Sequence, residues 1–215
     1  VRCRIRFGKG GPLRFISHLE LMTVWERTLR RADVPVAYSR GFNRRPQMQL
    51  AAPLPLGYAS TCELIDVWLE GALPAPDDLL GRLRAAAPEG LDVQMAWQVD
   101  MKGPALQTLT RWATYHAVPA EAISADALRK RVDVLLAQAA ILRERRGKPY
   151  DLRPLIGALA VLPGDPPALE MVLALSQEHG TGRPDEVIEA LRLDPTSTRV
   201  TRTEIVLVGE TSIPR

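Results

Sequence analysis

Cysteine and histidine are scarce in this chain, and each shortage removes a class of function. Its 215 residues hold two cysteines, Cys3 and Cys62, far apart and without a Cys-x-x-Cys pair. A disulfide framework or a structural zinc site needs more thiols at closer spacing, and an iron–sulfur cluster needs three or four thiolates. The two cysteines therefore read as small buried hydrophobes on strands. His18, His116 and His179 are the three histidines, scattered without ligand spacing, so no metal site is expected. No apolar run approaches the ~20 residues that cross a bilayer. No charged-then-apolar leader opens the chain, which predicts a cytoplasmic protein. The first residue is Val1 rather than Met, which points to processing or to excision from a longer protein.

What is present suits a globular protein. Hydrophobic residues make up 46% and charged residues 25%, enough for a real core in one large or two small domains. The net charge of +3 conceals an asymmetry. Residues 1–50 hold eleven Arg or Lys against Glu20, Glu26 and Asp33, a net of +8, whereas the remainder nets −5. Nearly all these cations are Arg, whose planar fork suits phosphate and stacks on bases. An anion-facing N-terminal lobe is one reading; surface pairing and snorkelling of the arginines is the other.

Residues 2–7 alternate Arg2, Arg4 and Arg6 with Cys3, Ile5 and Phe7, the pattern of a half-buried strand. Ser17 with Glu20 three residues on forms a capping box. Leu19, Met22, Trp25 and Leu29 then recur at helical spacing up to Arg31, and Asp33 and Pro35 close the helix. Further strands are expected at 34–38, 48–52, 62–69 and 91–99, with a helix at 77–86. The second half is expected to follow suit. It has a strand at 111–118, a helix from Ser124 through Ala139, a strand at 141–146 and an apolar insert at 151–162. A strand at 169–176, a helix at 184–191 and a strand at 198–208 complete it. The order β-α-β-β-α-β twice predicts an α+β fold of tandem ferredoxin-like lobes with antiparallel sheets, at 1–100 and 109–215.

The strongest local signal is Ser39-Arg40-Gly41-Phe42-Asn43-Arg44-Arg45-Pro46. Gly41 and Asn43 tolerate the left-handed backbone that turns successive amides toward an anion. Arg40, Arg44 and Arg45 add charge, and Tyr38 and Phe42 offer rings, the combination single-stranded RNA binding asks for. A solvated loop with one buried Phe is the alternative. His18, on the first turn of a helix and downstream of Lys9 and Arg14, is the candidate catalytic residue. A neutral His there could deprotonate a ribose 2′-hydroxyl while cations hold the phosphate; a His that hydrogen-bonds the loop is the competing reading. Gly180-Thr181-Gly182-Arg183-Pro184 opens a helix as a possible phosphate cradle, or as a plain turn. Asp151 and Arg153 suggest an internal brace, and Trp25 suggests core. Arg4, Arg6, Lys9, Arg14, His18, Tyr38, Arg40, Phe42, Asn43, Arg44, Arg45 and Arg183 are thus the candidate nucleic-acid contacts.

From Gly11 to Gly57 the text is recognisable. It runs Gly11-Pro12-Leu13-Arg14-Phe15-Ile16-Ser17-His18-Leu19-Glu20, then Tyr38-Ser39-Arg40-Gly41-Phe42-Asn43 and Leu54-Pro55-Leu56-Gly57. This resembles the bacterial radical SAM-linked (radical SAM-associated) domain family, a group of uncharacterised function. Asp151-Leu152-Arg153-Pro154 and Arg183-Pro184-Asp185 are similar to its later motifs. The resemblance implies a radical S-adenosylmethionine partner, fused or separate, that carries the iron–sulfur cluster and S-adenosylmethionine this chain does not bind. Where the family's loop reads Asn-Pro-His-Pro, this chain has Asn43-Arg44-Arg45-Pro46, so any role of that His is lost. The tandem pattern is also similar to CRISPR repeat-processing endoribonucleases, by fold analogy. The expected function is an RNA-binding or substrate-presenting accessory domain. A metal-independent endoribonuclease using His18 and a pure protein-interaction module are the alternatives.

Overall fold

The computed structural model describes residues 1–40, 44–176 and 180–209. The protein is α+β and divides into two compact units, Val1–Leu109 and Thr110–Arg215. Gly41, Phe42, Asn43 and His179, named above, lie outside the described residues.

In the first unit β1 (Arg2–Lys9), α1 (His18–Arg31), β2 (Met48–Leu50), β3 (Ala59–Trp68), α2 (Pro76–Ala86) and β4 (Leu91–Val99) follow one another, and a short α3 (Leu106–Leu109) ends it. β1 lies between β3 and β4, and β2 pairs with the far side of β3, giving the order β4-β1-β3-β2, antiparallel throughout. Cys3, Ile5 and Phe7 fill one face with Ile65 and Val67, and Trp25, Leu29, Leu79 and Leu83 cover them from the helices. Trp25 meets Phe7 edge-on, ring centroids 4.9 Å apart. Each such side chain contributes about 1.5–3 kcal/mol by leaving water.

Helix α1 begins and ends as its sequence dictates. Ser17 accepts from the Glu20 amide and Glu20 accepts from the Ser17 amide, a complete capping box. At the other end Asp33 takes φ +52, and the Val34 amide returns to the Leu29 carbonyl at 3.0 Å, a Schellman closure before Pro35.

Two expectations are corrected here. Segment 34–38 is not a strand: it makes isolated bridges, Val36 to Leu69 and Tyr38 to Pro46. Pro35 and Pro46 each remove a donor that a ladder would use. The strand β1 is not half-buried either, since Arg2 and Arg4 on its cationic face are 2% and 3% exposed. The Asp66 carboxylate, directly across on β3, accepts from both guanidinium groups. Arg2 also donates to the carbonyls of Gly103 and Pro104 and lies over the Trp68 ring.

The second unit runs β5 (Thr110–Val118), α4 (Ala125–Leu136), β6 (Leu142–Arg145), β7 (Lys148–Asp151), β8 (Ile156–Leu162), β9 (Ala168–Ser176), β10 (Gly180–Thr181), α5 (Pro184–Ala190) and β11 (Arg199–Leu207). Its sheet has the order β11-β5-β9-β8, with β10 against the end of β9. The strand expected at 141–146 is β6, but it leaves the main sheet and, among the described residues, pairs only with β7. The supposed insert supplies the sheet strand, β8. The physical reason lies in side chains: Arg143, Glu144 and Arg145 are charged on both faces of β6, whereas β8 buries Ile156 and Leu159. Arg146 and Gly147, both at positive φ, make the two-residue turn of that hairpin. Helix α4 stops at Leu136, short of Ala139, with Ala137 as its C-cap.

Candidate nucleic-acid interface

The arginine loop is drawn together at its base. The Ser39 amide donates to the Arg45 carbonyl at 2.9 Å, and the Arg45 amide donates to the Ser39 hydroxyl at 3.0 Å. The Tyr38–Pro46 bridge seals the next position. Arg40, Arg44 and Arg45 are all exposed at this closure, and Tyr38 is 44% exposed. Beneath Tyr38 lies a cleft of about 210 Å³ walled by the last turns of α1 (Glu26, Leu29, Arg30) and by Pro35, Val36 and Pro46. Glu26 and Asp33 offset Arg30 there, so the cationic character sits on the loop rim rather than in the cleft.

The other proposed contacts are elsewhere. Arg4 is buried against Asp66, and Lys9, 1% exposed, donates from Nζ to the Ile16 carbonyl. Both cations are withdrawn from the surface and hold the fold. Arg6 is half-buried between Leu64 and Met95 of the neighbouring strands. Arg14 is half-buried and clamps the Leu54-Pro55-Leu56-Gly57 loop, its Nε donating to the Gly57 carbonyl at 3.1 Å while the Gly57 amide donates to the Arg14 carbonyl. Its guanidinium lies over the ring of the exposed Phe15.

His18 starts α1, about 18 Å from Arg30 at the helical rise of ~1.5 Å per residue. It lines a second, larger cleft with Met22, Gln47, Met48, Gln49, Leu50, Trp68 and Gln107. No Lys or Arg joins that lining. Lys9 and Arg14 are engaged as described, so neither of these two cations lines the cleft with His18. Sequence reasoning did not single out the amides Gln47, Gln49 and Gln107. The available signal was Gln47 and Gln49 flanking Met48 on a short alternating run.

In the second unit Arg183 is exposed and precedes α5, a helix of 7 residues whose first turn carries Asp185 and Glu186. Those acids disfavour a phosphate at that end. Asp151 does not brace Arg153 through its side chain; one carboxylate oxygen accepts from the amides of Ile141 and Arg153. His116 meets Glu170 across β5 and β9 at 3.0 Å. Arg145, Tyr150 and Glu186 form a connected group, and Tyr150 is pushed up to about 12, first by burial and then by its hydrogen bond to Glu186.

Cys3 and Cys62 are both buried. Burial, with the Asp66 charge second, pushes the Cys3 thiol up to about 12, the reverse of what a thiolate ligand needs. These residues do not fit an iron–sulfur cluster. Among the described residues no group of three or more His, Cys, Asp or Glu could hold a metal ion, and no helix is long and apolar enough to cross a membrane.

The fold and the loop define an α+β protein of two units with an exposed arginine-rich closure on the first. The chain belongs to a bacterial family described as an uncharacterised protein conserved in bacteria (DUF2344), whose model matches residues 2–184. No curated protein matches it. It is similar to the crystal structure of an unknown protein from Galdieria sulphuraria, at 13% identity over 96% of this chain and 98% of that one, with a TM-score of 0.28. A likeness that distant carries no argument about function.

Proposed function

We propose that this chain is an RNA-binding accessory domain that works beside a radical SAM enzyme in the cytoplasm. The observation that carries the RNA part is the closure at Ser39 and Arg45. It holds Arg40, Arg44 and Arg45 exposed together beside the half-exposed ring of Tyr38. Guanidinium groups neutralise phosphates and a neighbouring ring stacks on a base, which is what a single-stranded segment requires. The radical SAM partner, with its cluster and S-adenosylmethionine, rests on the family resemblance of residues 11–57. The strand orders β4-β1-β3-β2 and β11-β5-β9-β8 support tandem ferredoxin-like units as the frame.

The test is retention of labelled cellular RNA by the purified chain in EDTA, read on native and denaturing gels. Intact RNA that is retained by the wild type and released by the double variant Arg44→Glu/Arg45→Glu is the expected result. Equal retention by the variant overturns the reading. Cleavage lost in His18→Ala would transfer the assignment to a nuclease.

A further inference from the structure

The cleft beside His18 runs along the edge of a strand. Gln47, Met48, Gln49 and Leu50 are consecutive, and all four line it. Successive residues of a strand point to opposite faces, so a cavity touched by four in a row borders the strand's edge rather than a face. His18 and Met22 of α1, Trp68 of β3 and Gln107 of α3 complete the lining.

That edge is unpaired. The register sets Met48 against Val67, Gln49 against Asp66 and Leu50 against Ile65. The Trp68 amide donates to the Gln47 carbonyl, and the Ala51 amide to the Leu64 carbonyl. In an antiparallel ladder such bonds alternate. The Gln47 carbonyl and the backbones of Gln49 and Ala51 are therefore directed toward β3, the Gln47 amide donates to the Ala37 carbonyl, and the N–H and C=O of Met48 and Leu50 point away from β3, toward the cleft. Among the described residues β2 pairs with no strand but β3. Met48 is half-buried, so its donor and acceptor are offered to the cleft as a template for another extended backbone, whereas Leu50 is buried and offers little.

We propose that β2 receives an extended peptide segment of a protein partner by strand addition, with an acidic residue of that segment reaching Arg44 and Arg45. The groove of about 490 Å³ has three amides, two methionines and an indole in its lining and no Lys, Arg, Asp or Glu. It therefore accommodates an uncharged stretch, whose main chain gives affinity and whose alternate side chains give specificity. Arg45 precedes Met48 by three residues, about 10 Å along an extended chain, and both Arg44 and Arg45 are exposed. A carboxylate at the matching end of the peptide meets them. A second copy of this chain is the less suitable occupant, because antiparallel pairing of two β2 strands brings Arg44 and Arg45 toward residues 51–57 of the other copy, which hold no acid. This assignment goes beyond RNA binding and does not depend on it.

The experiment pairs backbone-amide hydrogen exchange on the whole chain with selection from a displayed random-peptide library. In the free protein the Met48 amide exchanges fast and the Gln49 amide slowly; equal protection of the two overturns the geometry. Selected peptides alternate apolar and polar residues and carry Asp or Glu at one end, and a synthetic copy slows exchange at Met48. Met48→Pro removes the outward donor and leaves the β3 bonds in place. Because it also takes away a side chain that lines the groove and packs on the core, it is read beside Met48→Leu, which keeps the amide. Met48→Pro lowers peptide affinity at least about tenfold, the scale of one or two lost hydrogen bonds, and leaves RNA retention unchanged. Should that variant misfold, the peptide N-methylated at alternate amides makes the same test on the unmodified protein. Undiminished binding in either case, or a selection that yields no peptide, overturns the proposal. A concentration-dependent dimer abolished by Met48→Pro assigns the edge to a second copy and overturns the chosen occupant.

Discussion

Asp66 receives Arg4 as a two-point contact, Nε to Oδ1 at 2.8 Å and Nη2 to Oδ2 at 3.1 Å, with both side chains buried. The same carboxylate accepts from Arg2 at 2.6 Å. One acid thus serves two buried cations on the face of β1 opposite the helices. Replacing Asp66 by Ala leaves both guanidinium groups buried without it, a change that costs about 3–5 kcal/mol when a buried pair loses one member. Urea denaturation of Asp66→Ala shows a correspondingly lower midpoint. An unchanged midpoint would refute the bracing role.

The start of α1 is expected to weaken in acid. The Ser17 amide, then the Ser17 hydroxyl, hold the Glu20 carboxyl below its ordinary value of 4.5. A carboxylate with a lowered folded pKa contributes stability that is present above its unfolded value and is lost as pH falls through the folded one. The stability difference between wild type and Glu20→Gln therefore narrows from neutral to acid pH. Ser17→Ala, which removes the other half of the box, costs about 1 kcal/mol. Paired denaturation curves at neutral and acid pH measure both effects.

Tyr150 carries the opposite sign. Its folded pKa is raised from 10.0 to about 12, so its contribution is complete below the ordinary phenol value and is lost as pH rises through about 12. Ultraviolet titration of the protein against Tyr150→Phe isolates this phenol. In Glu186→Gln it titrates lower, because the neighbouring negative charge is gone while Arg145, which favours the phenolate, remains.

The RNA reading makes a salt prediction distinct from the simple loss of binding. Each phosphate contact on a single strand adds about 0.7 to the slope of log affinity against log salt. Replacing Arg44 alone by Gln reduces the slope by about 0.7, and replacing Arg44 and Arg45 together reduces it by about 1.4. A slope identical to wild type would place neither residue on a phosphate.

Much of the local structure is legible residue by residue. The alternation over 91–99 coincides with β4, and Ser17 with Glu20 sets the start of α1 through hydrogen bonds only three residues apart. The charged run at 142–145 is also strand-forming, as its pattern suggests, but pattern alone does not say which sheet it joins. That choice belongs to β8, because only apolar side chains can occupy the buried position beside β9. The loop at 39–46 is legible as a cationic cluster. Its closure by Ser39 and Arg45 is not, since it depends on where Pro35 and Pro46 interrupt the pairing.

The sequence by itself determined the α+β character, the cap of α1, the concentration of arginine in residues 1–50 and the burial of Trp25 and the two cysteines. These follow from local hydrogen bonding, periodicity and composition. Only the tertiary structure decided which cations remain available. Alternation places Arg2, Arg4 and Arg6 on one face of β1 but says nothing of what covers that face. The cover comes from Asp66 on β3 and from the carbonyls of Gly103 and Pro104, some 60 and 100 residues further along the chain. Arg4 became a structural cation because burying a guanidinium beside a carboxylate costs less than burying it alone, whereas Arg40, Arg44 and Arg45 at the loop, like Arg27, Arg30 and Arg31 on α1, stay exposed.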